Sequence, residues 1–300
     1  MTRRNTPRIS FVGFGEAGQA IASGLKDAGV EHIAAWDILF PERAGAPLKL
    51  AGETIGVRTA ASAADAVRDT DILISAVTAA SSVEAARSVA QHLNGNPYYL
   101  DINSVSPGRK IETAKLLGER ARYVDVAVVA AIHPARHRTP LLIAGPHAEE
   151  ISPLLGELEM TFSMVGPQIG SAAAIKMIRS VMIKGIEALT LECFLAAARA
   201  GVLDEVIASL KNNYPTLDWG QIADYNLERM ASHGERRAAE MEESAATLRE
   251  LGLDPLMADS TAKRQREMGA IGKLETVRDT LKSGRAAILG AISAAVKSRH

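Results

Sequence analysis

Three glycines near the start of the chain have the spacing of a phosphate-binding turn. Gly13, Gly15 and Gly18 follow the pattern Gly-x-Gly-x-x-Gly directly after a short apolar run, and apolar residues at helical spacing follow them. Strand, turn and helix in this order are typical of a dinucleotide site, because the helix N-terminus offers amide groups and a partial positive charge to a pyrophosphate. A glycine-rich turn in another kind of βα unit is the alternative. We predict cofactor contact for Gly13, Phe14, Gly15, Glu16, Ala17 and Gly18.

A carboxylate stands at the end of the second predicted strand, where dinucleotide-binding folds place an acid on the ribose hydroxyls. This residue is Asp37, 19 residues after Gly18. Its charge would repel a 2′-phosphate, so it favours NAD over NADP. Arg43 follows closely enough to pair with a phosphate, which keeps NADP possible. An aspartate that only caps a turn is the alternative.

A nearly continuous apolar run from Asp71 to Val77 predicts a strand of a parallel sheet, buried on both faces. Loops at the carboxyl ends of such strands line the ligand crevice. We therefore predict that Val77, Thr78 and Ala79 contact the cofactor.

Polar residues recur on one face of a long apolar stretch in the second half of the chain. Lys176, Ser180 and Lys184 are spaced by four, so a helix presents them on the same side. Burial, or a cationic neighbour such as Arg179, lowers the pKa of a lysine and suits it to proton transfer near neutral pH. The alternative is a lysine whose ammonium reaches solvent or an acid such as Glu187. The spacing by itself leaves both interpretations open.

The composition is that of an ordinary globular protein of about two domains. Of 300 residues, 47% are hydrophobic and 23% are charged, and the formal net charge is −1, so no global field recruits nucleic acid or an anionic membrane. The start of the chain lacks the apolar core of a signal peptide, and no apolar run is long enough to span a bilayer. Cys193 is the one cysteine, and the seven histidines are scattered without a metal-binding motif. We expect a cytoplasmic protein without a metal site.

Strands and helices alternate along the first half of the chain, and helices alone follow. This pattern predicts an α/β fold over residues 1–166, a Rossmann-type doubly wound and mostly parallel sheet, and an all-α domain over 167–300. A helix over 171–199 is apolar all round, so we expect it to be buried between domains or between subunits. Further helices are expected over 203–212, 217–231, 235–252, 255–268 and 274–298, an irregular segment over 38–54 and a strand over 55–57.

Three segments carry a resemblance to a known family. Phe11 to Gly18 is similar to the cofactor signature of the β-hydroxyacid dehydrogenases, relatives of 6-phosphogluconate and 3-hydroxyisobutyrate dehydrogenases. Asp101-Ile-Asn-Ser-Val-Ser-Pro107 resembles the family segment Asp-x-Ser-Thr-x-x-Pro, and Gly166 to Lys176 resembles the start of its interdomain helix. Over nearly its whole length the chain resembles a poorly characterised branch with a distinctive C-terminal domain of the DUF1932 type.

The resemblance implies a nucleotide-binding domain followed by a helical domain that also makes a homodimer. It implies that Lys176 is the general acid/base and that Asn103 lies near both cofactor and substrate. Residues 232–241 resemble a segment of the branch that approaches the active site, although a salt-bridged surface helix is the alternative for this segment. The candidate substrate ligands are Asn103, Ser104, Arg179, Ser180, His233 and Arg237.

Two departures from the family pattern alter the predicted substrate contact. The family has asparagine four residues after the lysine, where this chain has Ser180. The family has Ser-Gly-Gly after the sixth strand, where this chain has Val129-Ala-Ala131, so we expect a less polar substrate contact.

These inferences predict an NAD(P)-dependent oxidoreductase that transfers a hydride between a nicotinamide cofactor and a small or aromatic β-hydroxy acid. Its partners would be a small hydroxy or keto acid and a second copy of the chain. One alternative is a catalytically silent NAD(P)H-binding sensor or structural dimer. The two departures motivate it, whereas the intact segment from Asp101 to Pro107 and Lys176 argue against it. A second alternative is an imine reductase-like enzyme. Lys176 argues against it, because the related family usually has another residue at that position.

Overall fold

The chain forms two compact units, Met1–Met177 and Ile178–His300, and the boundary between them falls within one long helix. The computed structural model describes residues 6–297. The predicted division into domains over 1–166 and 167–300 stays a prediction.

The first unit is built on one eight-stranded sheet. Its strands are β1 (Ile9–Val12), β2 (Ile33–Trp36), β3 (Arg58–Thr59), β4 (Ile72–Ser75), β5 (Tyr98–Asp101), β6 (Arg122–Val128), β7 (Leu141–Ala144) and β8 (Phe162–Met164). Their order across the sheet is β3-β2-β1-β4-β5-β6-β7-β8, and all neighbours are parallel except β6 and β7. The strand order reverses between β1 and β4, which is where such sheets open a ligand crevice. The prediction of a doubly wound, mostly parallel sheet is confirmed.

Helices cover both faces of this sheet. They are α1 (Glu16–Asp27), α2 (Ala46–Ile55), α3 (Ala63–Ala66), α4 (Ser82–Ala90), α5 (Pro107–Leu117) and α6 (Ala148–Glu157). Successive side chains of a strand point to opposite faces, so each strand contributes to two cores. Phe11 packs in the core that includes Ile21 of α1 and Ile151 of α6. Val12 packs in the opposite core with Val89 of α4.

The segment between β2 and β3 differs from the prediction. The expected irregular segment over 38–54 contains α2, because Pro47 lies in the first turn of that helix, where proline needs no amide partner. Gly56 ends α2 in the left-handed conformation, with φ of +81°. The expected strand over 55–57 is therefore wrong, and the strand of this segment is β3.

The long helix α7 (Ser171–Ala200) confirms the helix that we predicted over 171–199. We expected α7 to be buried on every side, but within the single chain only one side of it is buried. Leu191 and Phe194 are buried, whereas Met182 and Leu189 are 66% and 58% exposed.

The second unit is helical throughout its described residues. Beyond α7 it contains α8 (Leu203–Asn213), α9 (Trp219–Glu250), α10 (Leu256–Gly272), α11 (Glu275–Arg278) and α12 (Arg285–Lys297). Between residues 6 and 297, no helix is both long enough and apolar enough to cross a membrane. The prediction of a helical C-terminal region is confirmed.

Two helix boundaries in this unit were predicted wrongly, both at glycines. The expected helices over 217–231 and 235–252 are the single helix α9. Gly234 does not break α9, because its lack of a side chain allows the backbone of α10 to pack directly against it. The expected helix over 274–298 is divided into α11 and α12, since Gly284 adopts φ of +88° just before α12. Residue 298 lies outside the described residues.

Candidate active site

The glycine turn joins β1 to α1 and has the geometry that the sequence predicts. A Cβ on Gly13 would lie 2.4 Å from the carbonyl oxygen of Ala76, and one on Gly18 would lie 2.8 Å from the carbonyl oxygen of Gly13. Among residues 6–297, nothing lies within 4 Å of where a Cβ on Gly15 would stand, so the described residues leave the space over this glycine open to a ligand. No described side chain caps the N-terminus of α1, so its first amides can bind phosphate oxygens. The turn therefore fits a dinucleotide.

Asp37 lies directly after β2 and holds the glycine turn through its carboxylate. Its Oδ2 accepts a hydrogen bond from the Phe14 amide at 2.8 Å, and its Oδ1 accepts one from the Leu39 amide at 3.0 Å. The acid therefore stands beside the turn, as a ribose-binding carboxylate must. Arg43 begins a short 3-10 turn further on and is exposed.

The loop after β4 is held by the end of β5. The Val77 amide donates to Asn103 Oδ1 at 2.7 Å, and Asn103 Nδ2 donates to Ser75 Oγ at 2.9 Å. Thr78 Oγ1 donates to Ser81 Oγ, and the Ala79 carbonyl accepts from Arg109. Asn103, which is 4% exposed, thus shapes the loop that we predicted to contact the cofactor.

Ser104 and Lys176 meet at the carboxyl end of β5. Lys176 Nζ donates to Ser104 Oγ at 2.5 Å, although the two residues are 72 positions apart in the chain. Both lie in the first unit, and Lys176 is half-buried. A hydroxyl and an amine in contact can share one substrate oxygen, which is the arrangement that proton transfer to or from that oxygen needs.

A buried charged triad, Asp101, Lys110 and Asp125, lies behind this contact. Lys110 Nζ is 3.2 Å from Asp101 Oδ1 and 3.5 Å from Asp125 Oδ1. Tyr123 donates to Asp101 Oδ2 at 2.8 Å. Burial, and then the two carboxylates, raise the pKa of Tyr123 well above its ordinary value, so its hydroxyl stays protonated as a donor. Sequence reasoning missed Lys110. The available signal was a lysine in the first half of a predicted helix, between two strands that each contain an aspartate.

The second unit contains the other predicted ligands, Arg179, Ser180, His233 and Arg237. Ser180 Oγ accepts from Lys184 at 3.2 Å, and Lys184 pairs with Glu240 at 2.8 Å. Ser180 and Lys184 thus share one helix face, as predicted.

Arg237 is engaged within the second unit. Its guanidinium pairs with both carboxylate oxygens of Glu187, and Gln265 donates to the same carboxylate at 2.8 Å. Burial, and then the nearby Arg229 and Arg236, lower the pKa of His233 from its ordinary value. The pair with Glu187 uses Nε and Nη2 of Arg237. The predicted substrate-binding role of Arg237 stays a prediction, as do those of Arg179, Ser180 and His233.

Side chains of the metal-binding types do not converge in the described part of the chain. Among residues 6–297, no group of three or more His, Cys, Asp or Glu side chains is placed to hold a metal ion.

Comparison with known proteins identifies the two halves of the chain. The protein-family model for the NAD binding domain of 6-phosphogluconate dehydrogenase matches residues 8–166. A domain of unknown function, DUF1932, matches residues 197–268.

Solved structures resemble the chain along most of its length. A conserved hypothetical protein from Sinorhizobium meliloti 1021 is 34% identical, with 96% of each chain covered and a TM-score of 0.77. A conserved protein of unknown function, described as structurally similar to 3-hydroxyacid dehydrogenases, is 29% identical over 88% of this chain and 97% of its own, with a TM-score of 0.70. A 3-hydroxyisobutyrate dehydrogenase from Mycobacterium tuberculosis, in a structure with L-serine, shares the fold at 16% identity, with 88% of this chain and 94% of that chain covered and a TM-score of 0.70.

The sheet order, the open glycine turn and the acid after β2 define a Rossmann-type domain whose cofactor is NAD(P). The chain belongs to the family of the NAD binding domain of 6-phosphogluconate dehydrogenase, and it carries the DUF1932 domain after it. The predicted resemblance is confirmed.

Proposed function

We propose that the protein is an NAD(P)-dependent oxidoreductase that transfers a hydride between the cofactor and a small or aromatic β-hydroxy acid. The observation that carries this proposal is the 2.5 Å contact of Lys176 Nζ with Ser104 Oγ, at the carboxyl edge of a dinucleotide-binding sheet. The similarity of a 29% identical relative to 3-hydroxyacid dehydrogenases supports the substrate class.

Lys176 and Ser104 have different roles in the proposed reaction: Lys176 transfers the proton, and Ser104 orients the substrate oxygen. When bound, NAD(P) supplies the hydride acceptor or donor. In the oxidation direction, the Lys176 amine takes the proton of the substrate hydroxyl while a carbonyl group forms. In the reduction direction, the Lys176 ammonium returns that proton. Ser104 Oγ accepts a hydrogen bond from Lys176 and can donate its own hydroxyl hydrogen bond to the substrate oxygen, so it orients the reacting oxygen toward Nζ.

Asp37 favours NAD in this proposal. Its carboxylate is fixed by the Phe14 and Leu39 amides at the end of β2. A 2′-phosphate beside a fixed negative charge is disfavoured, whereas ribose hydroxyls can donate to it.

The test is turnover with NAD and NADP, followed through the absorbance of the reduced nicotinamide, across a panel of small and aromatic β-hydroxy acids. Wild type is compared with Lys176→Ala and with Lys115→Ala, which removes an exposed lysine from α5. We expect Lys176→Ala to lower kcat by about a hundredfold or more, with cofactor affinity unchanged, because general acid–base catalysis contributes about 10²- to 10⁴-fold. Full activity of Lys176→Ala would remove the lysine from the mechanism.

The same measurement separates the alternatives. Tight NADH binding without turnover of any acid or imine would favour the sensor or structural dimer. Turnover of imines in place of hydroxy acids would favour the imine reductase-like enzyme.

A homodimer through the helical domain is part of the proposal. One face of α7 in the second unit carries exposed apolar side chains, and a second copy could cover it. These side chains are Ile178, Met182, Ile183, Ile186 and Leu189. Large exposed apolar patches mark interaction sites, and the mass of the protein in solution tests this assignment.

A further inference from the structure

Two carboxylates face each other in the middle of the first unit. Asp101 of β5 and Asp125 of β6 are register partners in a parallel pair, and both are fully buried. Like charges on neighbouring strands destabilise a sheet unless a cation lies between them. Lys110 of α5 is that cation, and it is itself fully buried. Its Nζ also donates to the carbonyl oxygens of Asp101 at 2.5 Å and Val126 at 3.2 Å.

Asp125 holds the start of α7 with its other oxygen. Oδ2 accepts from the amides of Gly170 at 3.0 Å, Ala172 at 3.0 Å and Ala173 at 3.2 Å. A strand side chain therefore supplies the cap that the first amides of a helix need, at the end where a negative charge is favoured. A Cβ on Gly170 would lie 3.0 Å from Pro107 Cβ, so the starts of α5 and α7 also pack closely together.

The same triad holds both partners of the Lys176–Ser104 contact. The Asn103 amide donates to Asp101 Oδ1 at 3.0 Å, which fixes the chain just before Ser104. Lys176 lies in the second turn of the helix whose start Asp125 caps. Lys110 joins the two carboxylates, so its charge sets where the hydroxyl and the amine stand relative to each other.

We infer that Lys110 is a positioning residue, which with Asp101 and Asp125 fixes the placement of Lys176 against Ser104. This inference rests on the proposed acid/base role of Lys176. The effect on catalysis is large, because a displacement of about 1 Å can cost about a hundredfold in rate.

The experiment measures the rate at which acetic anhydride acetylates Lys176, read by peptide mass spectrometry with the exposed Lys115 as internal reference. Variants are Lys110→Met, which removes the charge at similar length, and Asp125→Asn, which keeps the shape of the cap. In both variants we expect Lys176 acetylation to rise by about tenfold, because the hydrogen bond that restrains its ammonium is lost. Lys115 acetylation and NADH affinity, measured by nicotinamide fluorescence, stay unchanged.

Leu117→Ala is the matched control. Leu117 is fully buried in the same helix but lies outside the triad, so its truncation lowers stability without moving Lys176. If Lys176 in Asp125→Asn is acetylated at the same rate as in wild type, the inference is overturned, even if Lys110→Met does not fold. An equal rise in Leu117→Ala would also overturn it, since general loosening would then explain the result.

Acetylation needs no substrate, so this result is independent of the proposed function. If wild type turns over a hydroxy acid, we expect Asp125→Asn to lower kcat by about a hundredfold with the KM for the cofactor unchanged. If wild type turns over none, the proposed function fails, while the acetylation rates still decide the placement of Lys176.

Discussion

Two glycines inside helices of the second unit should respond in opposite directions to replacement by alanine, because only one of them lies where two helices touch. Gly234 lies in the interior of α9, and a Cβ there would lie 2.3 Å from the Gln265 carbonyl oxygen and 2.5 Å from the Gly269 amide nitrogen. Both contacting atoms belong to the backbone of α10, so no side-chain rotation relieves the overlap. Gly290 lies in the interior of α12 and is exposed, and a Cβ there would meet no atom of another described segment within 4 Å.

The expected changes follow from two opposing effects. Alanine is favoured over glycine in a helix interior by about 1 kcal/mol, and this gain applies at both positions. At Gly234 the two helices must also separate, and overpacking of this kind costs about 3 kcal/mol, the upper end of the usual range. Gly234→Ala should therefore lower the free energy of unfolding by about 2 kcal/mol, whereas Gly290→Ala should raise it by up to about 1 kcal/mol.

The assay is urea unfolding followed by tryptophan fluorescence. The chain has two tryptophans, Trp36 in the first unit and Trp219 in the second. In a Trp36→Phe background, the signal reports the second unit alone. A Gly234→Ala variant as stable as its parent would refute the close backbone crossing, and a destabilised Gly290→Ala would show that the propensity term is misjudged for this unit.

Two further predictions concern pH and the cofactor. His137 is 4% exposed, its ring nitrogens have no hydrogen-bond partner among the described residues, and burial, then Arg138 and Arg136, lower its pKa. The unfolded chain therefore takes up this proton at higher pH than the folded chain, so stability should fall as pH drops below about 6.5. His137→Leu should remove this component from urea midpoints measured across pH, whereas His32→Leu, at an exposed site, should keep it. In fluorescence titrations, Asp37→Ser should weaken NADH binding by about tenfold, because one hydrogen bond to a charged group is lost. NADPH binding should weaken less. An equal loss of affinity for both cofactors would show that Asp37 only supports the turn.

Much of the candidate site follows from local sequence physics. The turn over 13–18 is specified by three local features. These are a glycine at each place where the backbone must approach other backbone or the ligand, an apolar strand before the turn, and an amphipathic helix after it. Asp37 at the end of β2 follows from the same unit. The parallel sheet follows from the alternation of apolar strands and helices, because short parallel strands need helical crossovers. For these features, the residues that determine the structure lie within about one strand–helix unit of each other.

Other features depended on which segments meet in space. Gly234 and Gly284 are the same residue type in the same helical region, yet one lets two helices touch and the other breaks a helix. Lys110 is one lysine in an ordinary amphipathic helix until the fold places it between Asp101 and Asp125.

The sequence by itself therefore determined the fold class and the glycine turn, and its resemblance to a known family singled out the lysine proposed for catalysis. The tertiary structure alone decided which glycines are packing contacts, which carboxylate caps α7 and what holds Lys176 against Ser104. The reason is physical: a turn or a strand depends on the conformational preferences of neighbouring residues, whereas a buried charge or a missing side chain acquires its role from the atoms that long-range packing places around it.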